Sequence, residues 1–211
     1  MWKWLKSSKS SPAPAAVENP DTEQNKVIKD QPKVIIITGT SGSGRKSIAS
    51  QLSAELNIPY VRPYTTRRIR QGEVSGEHYR FISPEEFQSI EGGAGFSQSV
   101  RLERGSYGIP ERDLMEALTS HQAAIVVMNH DGVQVFRKRF GSQAVRIFLY
   151  VTKDDIRLRG EREGAPHEVT EEYLRNYSEQ VVHKKDSDYL LQNIDPANTL
   201  VKIKQFLQPI L

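Results

Sequence analysis

Continuous apolar runs alternate with amphipathic stretches from Lys33 to the end of the chain. Strands buried on both faces of a parallel sheet typically show such runs, and we expect them at residues 34–37, 124–129 and 145–151. A shorter run at 188–191 precedes a helical pattern at 196–208. This alternation predicts an α/β fold with a doubly wound parallel sheet. Residues 62–109, rich in Arg, Gly and aromatic residues, break the alternation and are predicted to form an inserted subdomain.

Several helix starts are marked by residues that cap a helix N-terminus. Ser83 is followed by proline and two glutamates, a capping-box pattern with proline at the first helical position. Thr152 starts a similar pattern, and Asp195 precedes the last helix. A helix at 110–119 carries an apolar stripe that is more typical of a core-facing surface than of a ligand site, formed by Leu114, Met115 and Leu118.

The composition limits the class of protein and its partners. At 211 residues the chain is long enough for one domain with a substantial core. A net charge of +3 without a dense block of Lys or Arg argues against nucleic acid as the main partner. The absence of cysteine excludes disulfides and thiolate metal sites and fits a cytoplasmic protein. The five histidines lack paired ligand spacing, which favours solvated or hydrogen-bonded histidines over a metal site.

Residues 1–31 are predicted to be a flexible tail, and residues 32–211 the folded domain. After its first residues the tail is rich in Ser, Pro, Ala, Asn and charged residues, a composition that cannot bury a core. Trp2, Trp4 and Leu5 are interleaved with lysines and could touch an anionic membrane surface, although one short segment binds weakly. A plain tail is the favoured alternative. No apolar run approaches the length of a membrane span.

The glycine-rich segment 39–47 follows the first predicted strand and opens into a helical pattern. Phosphate-binding loops have this context, because glycines let backbone N–H groups turn toward the anion and the helix dipole favours it. We predict that the segment binds the phosphates of ATP, although a glycine-rich turn without a ligand is the alternative. Its residues are Gly39, Thr40, Ser41, Gly42, Ser43, Gly44, Arg45, Lys46 and Ser47.

The loop departs from the usual GxxxxGK[ST] pattern at its last two positions. Arg45 takes the place of the Lys that binds phosphate, and Lys46 that of the Ser or Thr that binds magnesium. Because one helical residue rotates a side chain by roughly 100°, Lys46 is expected to point away from the phosphates. A one-residue bulge is the alternative that would return Lys46 and Ser47 to working positions. No residue is assigned to a metal on this basis, and Ser47 is the one candidate.

Residues 64–81 have the sequence YTTRRIRQGEVSGEHYRF, which resembles the TTRxxRxGExxGxxYxF signature of guanylate kinases. The similarity continues through SPEEF at 83–87 and SYG at 106–108, and extends from about Lys33 to the C-terminus. The resemblance implies a P-loop core, a monophosphate-binding subdomain at about 62–109 and an arginine-bearing lid at about 153–170.

Two arginines and two tyrosines hold the phosphate of GMP in this family. The matching residues in this sequence are Arg67, Arg70, Tyr79 and Tyr107. Guanidinium and phenol groups suit the role, since both donate hydrogen bonds to phosphate oxygens. The alternative is an exposed loop with solvated arginines.

The positions that contact the base in this family differ here. Gln98 takes the place of a glutamate whose two carboxylate oxygens accept hydrogen bonds from two N–H groups of guanine. The single amide oxygen of glutamine cannot form this pair of hydrogen bonds. Pro63 and Ile109 replace hydroxyl-bearing residues, and Asn129 replaces an aspartate. The resemblance implies GMP as the acceptor, whereas these four residues weaken the basis for guanine selectivity.

The resemblance also implies lid arginines that stabilise charge on the transferring phosphoryl group. Arg159 matches one of them, while Glu163 stands where another is expected, with Arg162 beside it. Arg45, Arg159 and Arg162 are therefore the predicted catalytic residues. A charged, exposed helix with ion pairs between neighbouring turns is the alternative for the two lid arginines.

Three functions are compatible with these features. The first is phosphoryl transfer from ATP, with Mg²⁺, to a nucleoside monophosphate such as GMP, without a tightly bound cofactor. The second is a binding module, similar to the guanylate kinase-like domains of scaffold proteins, that holds a phosphorylated protein in the phosphate subsite. The third is a nucleotide sensor without turnover.

Overall fold

A computed structural model describes residues 31–70 and 72–211. Residues 1–30, which make up all but one residue of the predicted tail and include the segment of the membrane-contact hypothesis, lie outside these residues. The elements are, in chain order, β1 (Lys33–Gly39), α1 (Arg45–Leu56), β2 (Tyr64–Thr65), β3 (Arg80–Phe81), α2 (Pro84–Gly92), β4 (Phe96–Leu102), β5 (Gly105–Pro110), α3 (Glu111–His121), β6 (Ala123–Val127), α4 (His130–Phe140), β7 (Ala144–Tyr150), α5 (Lys153–Arg162), α6 (His167–Val181), β8 (Tyr189–Gln192) and α7 (Pro196–Leu207). Short 3-10 helices cover Gly141–Gln143 and Val182–Asp186.

The core is a four-stranded sheet in the order β6-β1-β7-β8. All of its pairings are parallel. Every residue of β1 is buried, as the uninterrupted apolar run predicts for a central strand.

Alternate residues of β1 face two different layers of helices. Ile35 and Ile37 pack with α1 and α7, whereas Val34 and Ile36 pack with α3 and α4. Helices therefore cover both faces of the parallel sheet, and the predicted doubly wound α/β class is confirmed.

A second sheet, in the order β3-β2-β5-β4, is built from the residues between Tyr64 and Pro110. Strand β2 pairs parallel with β3 and antiparallel with β5, which in turn pairs antiparallel with β4. This is the stretch in which the strand–helix alternation of the sequence breaks down.

The predicted helix caps are present. The hydroxyl of Ser83 accepts from the backbone N–H of Glu86 at 3.1 Å, and Asp195 accepts from the first turn of α7. Thr152 and Asp155 form a complete capping box at the start of α5.

One expectation about helix α3 is only partly correct. Leu114 and Leu118 are buried, but the side chain of Met115 is exposed and accepts a contact from the guanidinium of Arg139. The apolar face of α3 is narrow, so Met115, one position after Leu114, turns toward solvent.

Candidate functional site

The glycine-rich loop lies at the carboxyl end of β1 and is fixed to the core by backbone contacts. The N–H of Thr40 donates to the carbonyl of Leu149 at 3.0 Å, and the amide of Asn193 donates to the carbonyl of Ser43 at 2.7 Å. Gly39 has φ +137°, and a Cβ there would come within 1.8 Å of the Leu149 carbonyl oxygen. The loop therefore needs glycine at this position to pass close to β7.

Helix α1 starts at Arg45, directly after Gly44, which has a positive φ of 80°. The first turn of a helix leaves backbone N–H groups without acceptors inside the helix, and here that turn lines a cavity of about 490 Å³. A helix N-terminus preceded by a glycine-rich loop is suited to an anion.

The side chain of Lys46 extends toward the second sheet. Its Nζ lies 3.7 Å from Oε1 of Glu73 and 4.4 Å from the ring centroid of Tyr79. Burial, partly opposed by the Glu73 carboxylate and reinforced by Arg67 and Arg70, lowers the pKa of Lys46 to about 8. The expectation that Lys46 points away from the phosphates of ATP stays a prediction, and the lysine reaches toward the residues that match the acceptor-phosphate set.

Arg45 lies in the same cavity and is half-buried. Burial lowers the pKa of its guanidinium, and the neighbouring phenols of Tyr79, Tyr173 and Tyr60 act in the opposite direction. Among the described residues, the groups that act on this pKa are phenols rather than carboxylates, and a desolvated cation in such surroundings favours an anionic ligand.

Ser47 is exposed, and its hydroxyl accepts a hydrogen bond from the amide of Gln51 at 3.0 Å. Lys46 stands before it at the position of a hydroxyl ligand, and an ammonium group cannot ligate a metal. The loop residues therefore do not fit a protein-held magnesium ion in the manner of a GxxxxGK[ST] loop.

The four residues matching the acceptor-phosphate set all line the cavity: Arg67, Arg70, Tyr79 and Tyr107. The rings of Tyr79 and Tyr107 lie 5.6 Å apart, and burial raises the pKa of Tyr79 to about 12. The two phenols thus stay protonated and able to donate at neutral pH.

Glu73 organises this set, a role that the sequence analysis missed. Its two carboxylate oxygens each accept from Nη2 of Arg67 at 2.8 Å, and one accepts from the backbone N–H of Arg70 at 2.9 Å. Burial would raise the pKa of Glu73, but the hydrogen bonds from Arg70 and Arg67 outweigh it and lower the pKa. Glu73 is the glutamate in the RxGE part of the motif, so the motif itself was a signal that this residue belongs to the site.

The four base-pocket positions also line the cavity: Pro63, Gln98, Ile109 and Asn129. Gln98 donates its amide to the carbonyl of Ser99 at 2.9 Å. Asn129 caps α4, accepting from the N–H of Gly132 at 3.1 Å. Both side chains are amides with one acceptor oxygen each, so neither offers a carboxylate fork to a base, and both are held by backbone groups.

Arg159 and Arg162, the predicted lid arginines, have different surroundings. Arg159 donates to the carbonyl of Gly42 at 3.2 Å and to that of Asn193, so its guanidinium holds the backbone of the glycine-rich loop. The side chain of Arg162 is 74% exposed, pairs with Glu163 and does not line the cavity. The structure therefore brings Arg159, but not Arg162, to the site.

Helix α6 connects the loop to the second sheet. Tyr173 accepts from Nη1 of Arg70 at 3.1 Å, and Glu172 pairs with Arg104 at 2.6 Å. At the other end of the helix, Gln180 accepts from the N–H of Ser41 at 2.7 Å and donates to its hydroxyl at 3.1 Å. Sequence reasoning did not identify these contacts, since they join residues far apart in the chain.

No helix within residues 31–70 and 72–211 has both the length and the apolar character needed to cross a membrane.

A glycine-rich loop at the carboxyl edge of a doubly wound parallel sheet places the chain among the P-loop α/β proteins. The family model for guanylate kinase matches residues 31–209. The chain therefore belongs to the guanylate kinase family.

Individual relatives agree with this assignment. The guanylate kinase of Deinococcus radiodurans is 28% identical over 178 residues, covering 82% of this chain and 74% of the relative. The guanylate kinase of Francisella tularensis is 26% identical over 181 residues, covering 83% of this chain and 95% of the relative. The crystal structure of guanylate kinase from Anaplasma phagocytophilum has a TM-score of 0.66 at 21% identity, covering 84% of this chain and 85% of that one, which shows the shared fold.

Proposed function

We propose that the chain transfers the γ-phosphoryl group of ATP to a nucleoside monophosphate, with GMP as the first candidate acceptor. One observation carries the proposal: the glycine-rich loop and the acceptor-phosphate set open into the same cavity. Two sets of anion-binding residues that line a single cavity suit a reaction between two phosphates.

The acceptor monophosphate would be held by Arg67, Arg70 and the two phenols. A monophosphate oxygen forms a bond to the γ-phosphorus of ATP while the bond from that phosphorus to the β,γ-bridging oxygen breaks, giving ADP and a nucleoside diphosphate. The attacking oxygen is already anionic at neutral pH, so a general base is not needed. Arg45 supplies positive charge on the side of the loop, and the ammonium of Lys46 adds positive charge next to the acceptor set.

Guanylate kinase chemistry uses ATP with Mg²⁺, which offsets phosphate charge when bound. In this chain Lys46 occupies the position of the hydroxyl ligand, so we infer that any Mg²⁺ enters with ATP and its water shell. The ammonium group of Lys46, close to Glu73 and Tyr79, provides a protein-borne cation in this region.

The element arrangement suggests how the parts divide the work. Residues 32–211 would form the catalytic domain, about 62–109 the monophosphate-binding subdomain and about 153–170 the lid. The second sheet, built from residues between Tyr64 and Pro110, supports the bounds of the subdomain. The Arg70–Tyr173 hydrogen bond and the Arg104–Glu172 ion pair join it to α6, directly after the residues proposed for the lid.

A second candidate is a binding protein without turnover, for a nucleotide or a phosphorylated protein. Arg159 is held by backbone carbonyls, and Arg162 is exposed and pairs with Glu163. Neither of the two predicted lid arginines is therefore placed to contact a phosphate in the cavity, which favours this candidate. Loss of transition-state charge stabilisation lowers turnover more than ground-state binding.

ADP release from Mg·ATP, measured with GMP, AMP, CMP and UMP in turn, tests the proposal. ADP formation that depends on one monophosphate supports the kinase. If no ADP forms, calorimetry with GMP and with a phosphoserine peptide ranks the two binding alternatives. Arg70→Ala should abolish monophosphate-dependent ADP release, while Arg137→Ala, an exposed change on α4, serves as the matched control.

A further inference from the structure

Two histidines that are distant in the sequence lie face to face in the fold. The imidazole rings of His130 and His183 are stacked, with centroids 3.4 Å apart and planes inclined by 10°. His130 is the first residue of α4, and His183 belongs to the 3-10 helix Val182–Asp186 that follows α6. The spacing of the histidines along the chain, which disfavoured a metal site, does not reveal such a pair.

Asp186 adds a carboxylate on the same side as His183. Side chains at i and i+3 of a 3-10 helix eclipse each other, so the two residues project together. One ligand atom from each of His130, His183 and Asp186 can be chosen so that all lie within 4.8 Å of one another, and all three residues are half-buried.

We propose that His130, His183 and Asp186 form a binding site for a divalent transition metal, with Zn²⁺ as the candidate ion. Two imidazoles and one carboxylate are a ligand set that such ions favour, and three protein ligands leave a position for water. Mg²⁺ and Ca²⁺ fit less well, since they prefer oxygen ligands throughout.

Binding requires modest side-chain movement. Ligand atoms around a tetrahedral ion with bonds of about 2.1 Å lie roughly 3.4 Å apart. The nitrogen lone pairs of two parallel stacked rings also lie in two parallel planes, so at least one ring must turn about its Cβ–Cγ bond for both to face one ion. Gln134, whose amide lies 3.4 Å from Nε2 of His130, would then give up or redirect that contact.

The electrostatic surroundings are mixed. Burial, reinforced by the neighbouring His183, lowers the pKa of His130, which favours the neutral imidazole that ligates metals. Asp131 and Asp186 add negative charge, whereas Arg146 and the N-terminus of α4 oppose a cation. The carboxylate of Asp186 is therefore essential to the proposed site.

A metal at this point would join the start of α4 to the segment that follows α6. Helix α6 carries Tyr173 and Gln180, which contact Arg70 and the glycine-rich loop. The ion would thus fix one end of the helix that connects the two anion sites.

Titration of the full chain with Co²⁺, followed by visible absorption and then by displacement with Zn²⁺, tests the site. We expect one ion per chain and Co²⁺ bands typical of nitrogen and oxygen ligands. His130→Asn, His183→Asn and Asp186→Asn should each weaken binding by at least about 100-fold, since outer-shell changes alone cost 10–100-fold. The sequence has no cysteine, so thiolates cannot contribute to the spectrum.

His167→Asn is the matched control, because this side chain is 88% exposed and lies on α6 away from the cluster. Circular dichroism and thermal melts check that each variant is folded, and Zn²⁺ should raise the melting temperature of the wild type and the control only. Equal Co²⁺ affinity in the wild type, His130→Asn and His183→Asn would overturn the proposal. So would loss of binding on replacement of His78, the other histidine lining the cavity, with no loss in the cluster variants.

Discussion

Lys46 gives the sharpest test of how the cavity binds an acceptor phosphate. Replacing it with methionine keeps most of the length of the side chain and removes the charge. The ammonium lies 3.7 Å from Glu73 and over the ring of Tyr79, next to the arginines of the acceptor set. A phosphate bound by those arginines would therefore also meet Lys46.

The size of the effect follows from charge and distance. Two unit charges about 4 Å apart interact by about 4 kcal/mol at an effective dielectric constant of 20. Attraction to Glu73 and desolvation offset part of this energy, and a hydrogen bond to a charged group contributes about 1.5–3 kcal/mol net. Lys46→Met should therefore weaken GMP binding about 10- to 150-fold.

The pH profile provides an independent readout. The pKa of Lys46 is about 8 in the protein, below its ordinary value of 10.5. Bound phosphate favours the protonated lysine, so GMP affinity should be full below about pH 8 and fall as the pH rises above it. The Lys46→Met variant should lack this fall, because it has no ammonium to deprotonate.

Calorimetry with GMP at constant ionic strength, from pH 7 to about 9.5, measures both effects. Lys138→Met is the matched control, since it removes the same charge from an exposed position on α4. An affinity for GMP within twofold of the wild type, or an unchanged fall with pH in Lys46→Met, would refute the role of this lysine.

Three further predictions concern the base, the loop and the lid. Gln98→Glu should raise the preference for GMP over AMP by about tenfold in calorimetry, because a carboxylate accepts both guanine donors; an unchanged ratio would mean that Gln98 does not face the base. Arg159→Ala should lower the free energy of unfolding in urea by about 1.5–3 kcal/mol, since two backbone carbonyls lose a charged donor; lost turnover with unchanged stability would instead favour a lid arginine acting on phosphate. Arg45→Lys combined with Lys46→Ser should increase ADP release at GMP concentrations that saturate the acceptor site, which loss of Lys46 weakens; no increase at saturating GMP would place the defect in the lid.

Much of the fold could be predicted from local patterns. The apolar runs predicted the central strands, because a strand covered by helices on both faces needs apolar side chains on both sides, as β1 illustrates. Ser83, Thr152 and Asp195 marked helix starts because unsatisfied N–H groups need acceptors at defined offsets. Met115 was misjudged, since periodicity alone does not give the width of the buried face.

The site was less predictable, because its details depend on contacts between distant residues. The direction of Lys46 is set by Glu73 and Tyr79, which lie between β2 and β3 and are distant from the loop in the sequence. Arg159 matched a catalytic position, but the carbonyls of Gly42 and Asn193 determine where its guanidinium lies. His130 stacks on His183 because of where α6 ends in the fold, and the spacing of residues along the chain does not predict that position.

The central claim is that a phosphoryl group passes from ATP to a nucleoside monophosphate within this cavity. ATP labelled in the γ-phosphate, incubated with GMP and Mg²⁺, tests it directly when the products are separated and counted. We expect labelled GDP in an amount equal to the ADP formed. We expect no transfer of label out of ATP when GMP is omitted or when the variant Arg70→Ala is used. ADP formed with the label in inorganic phosphate only, or no ADP despite measured GMP binding, would contradict it.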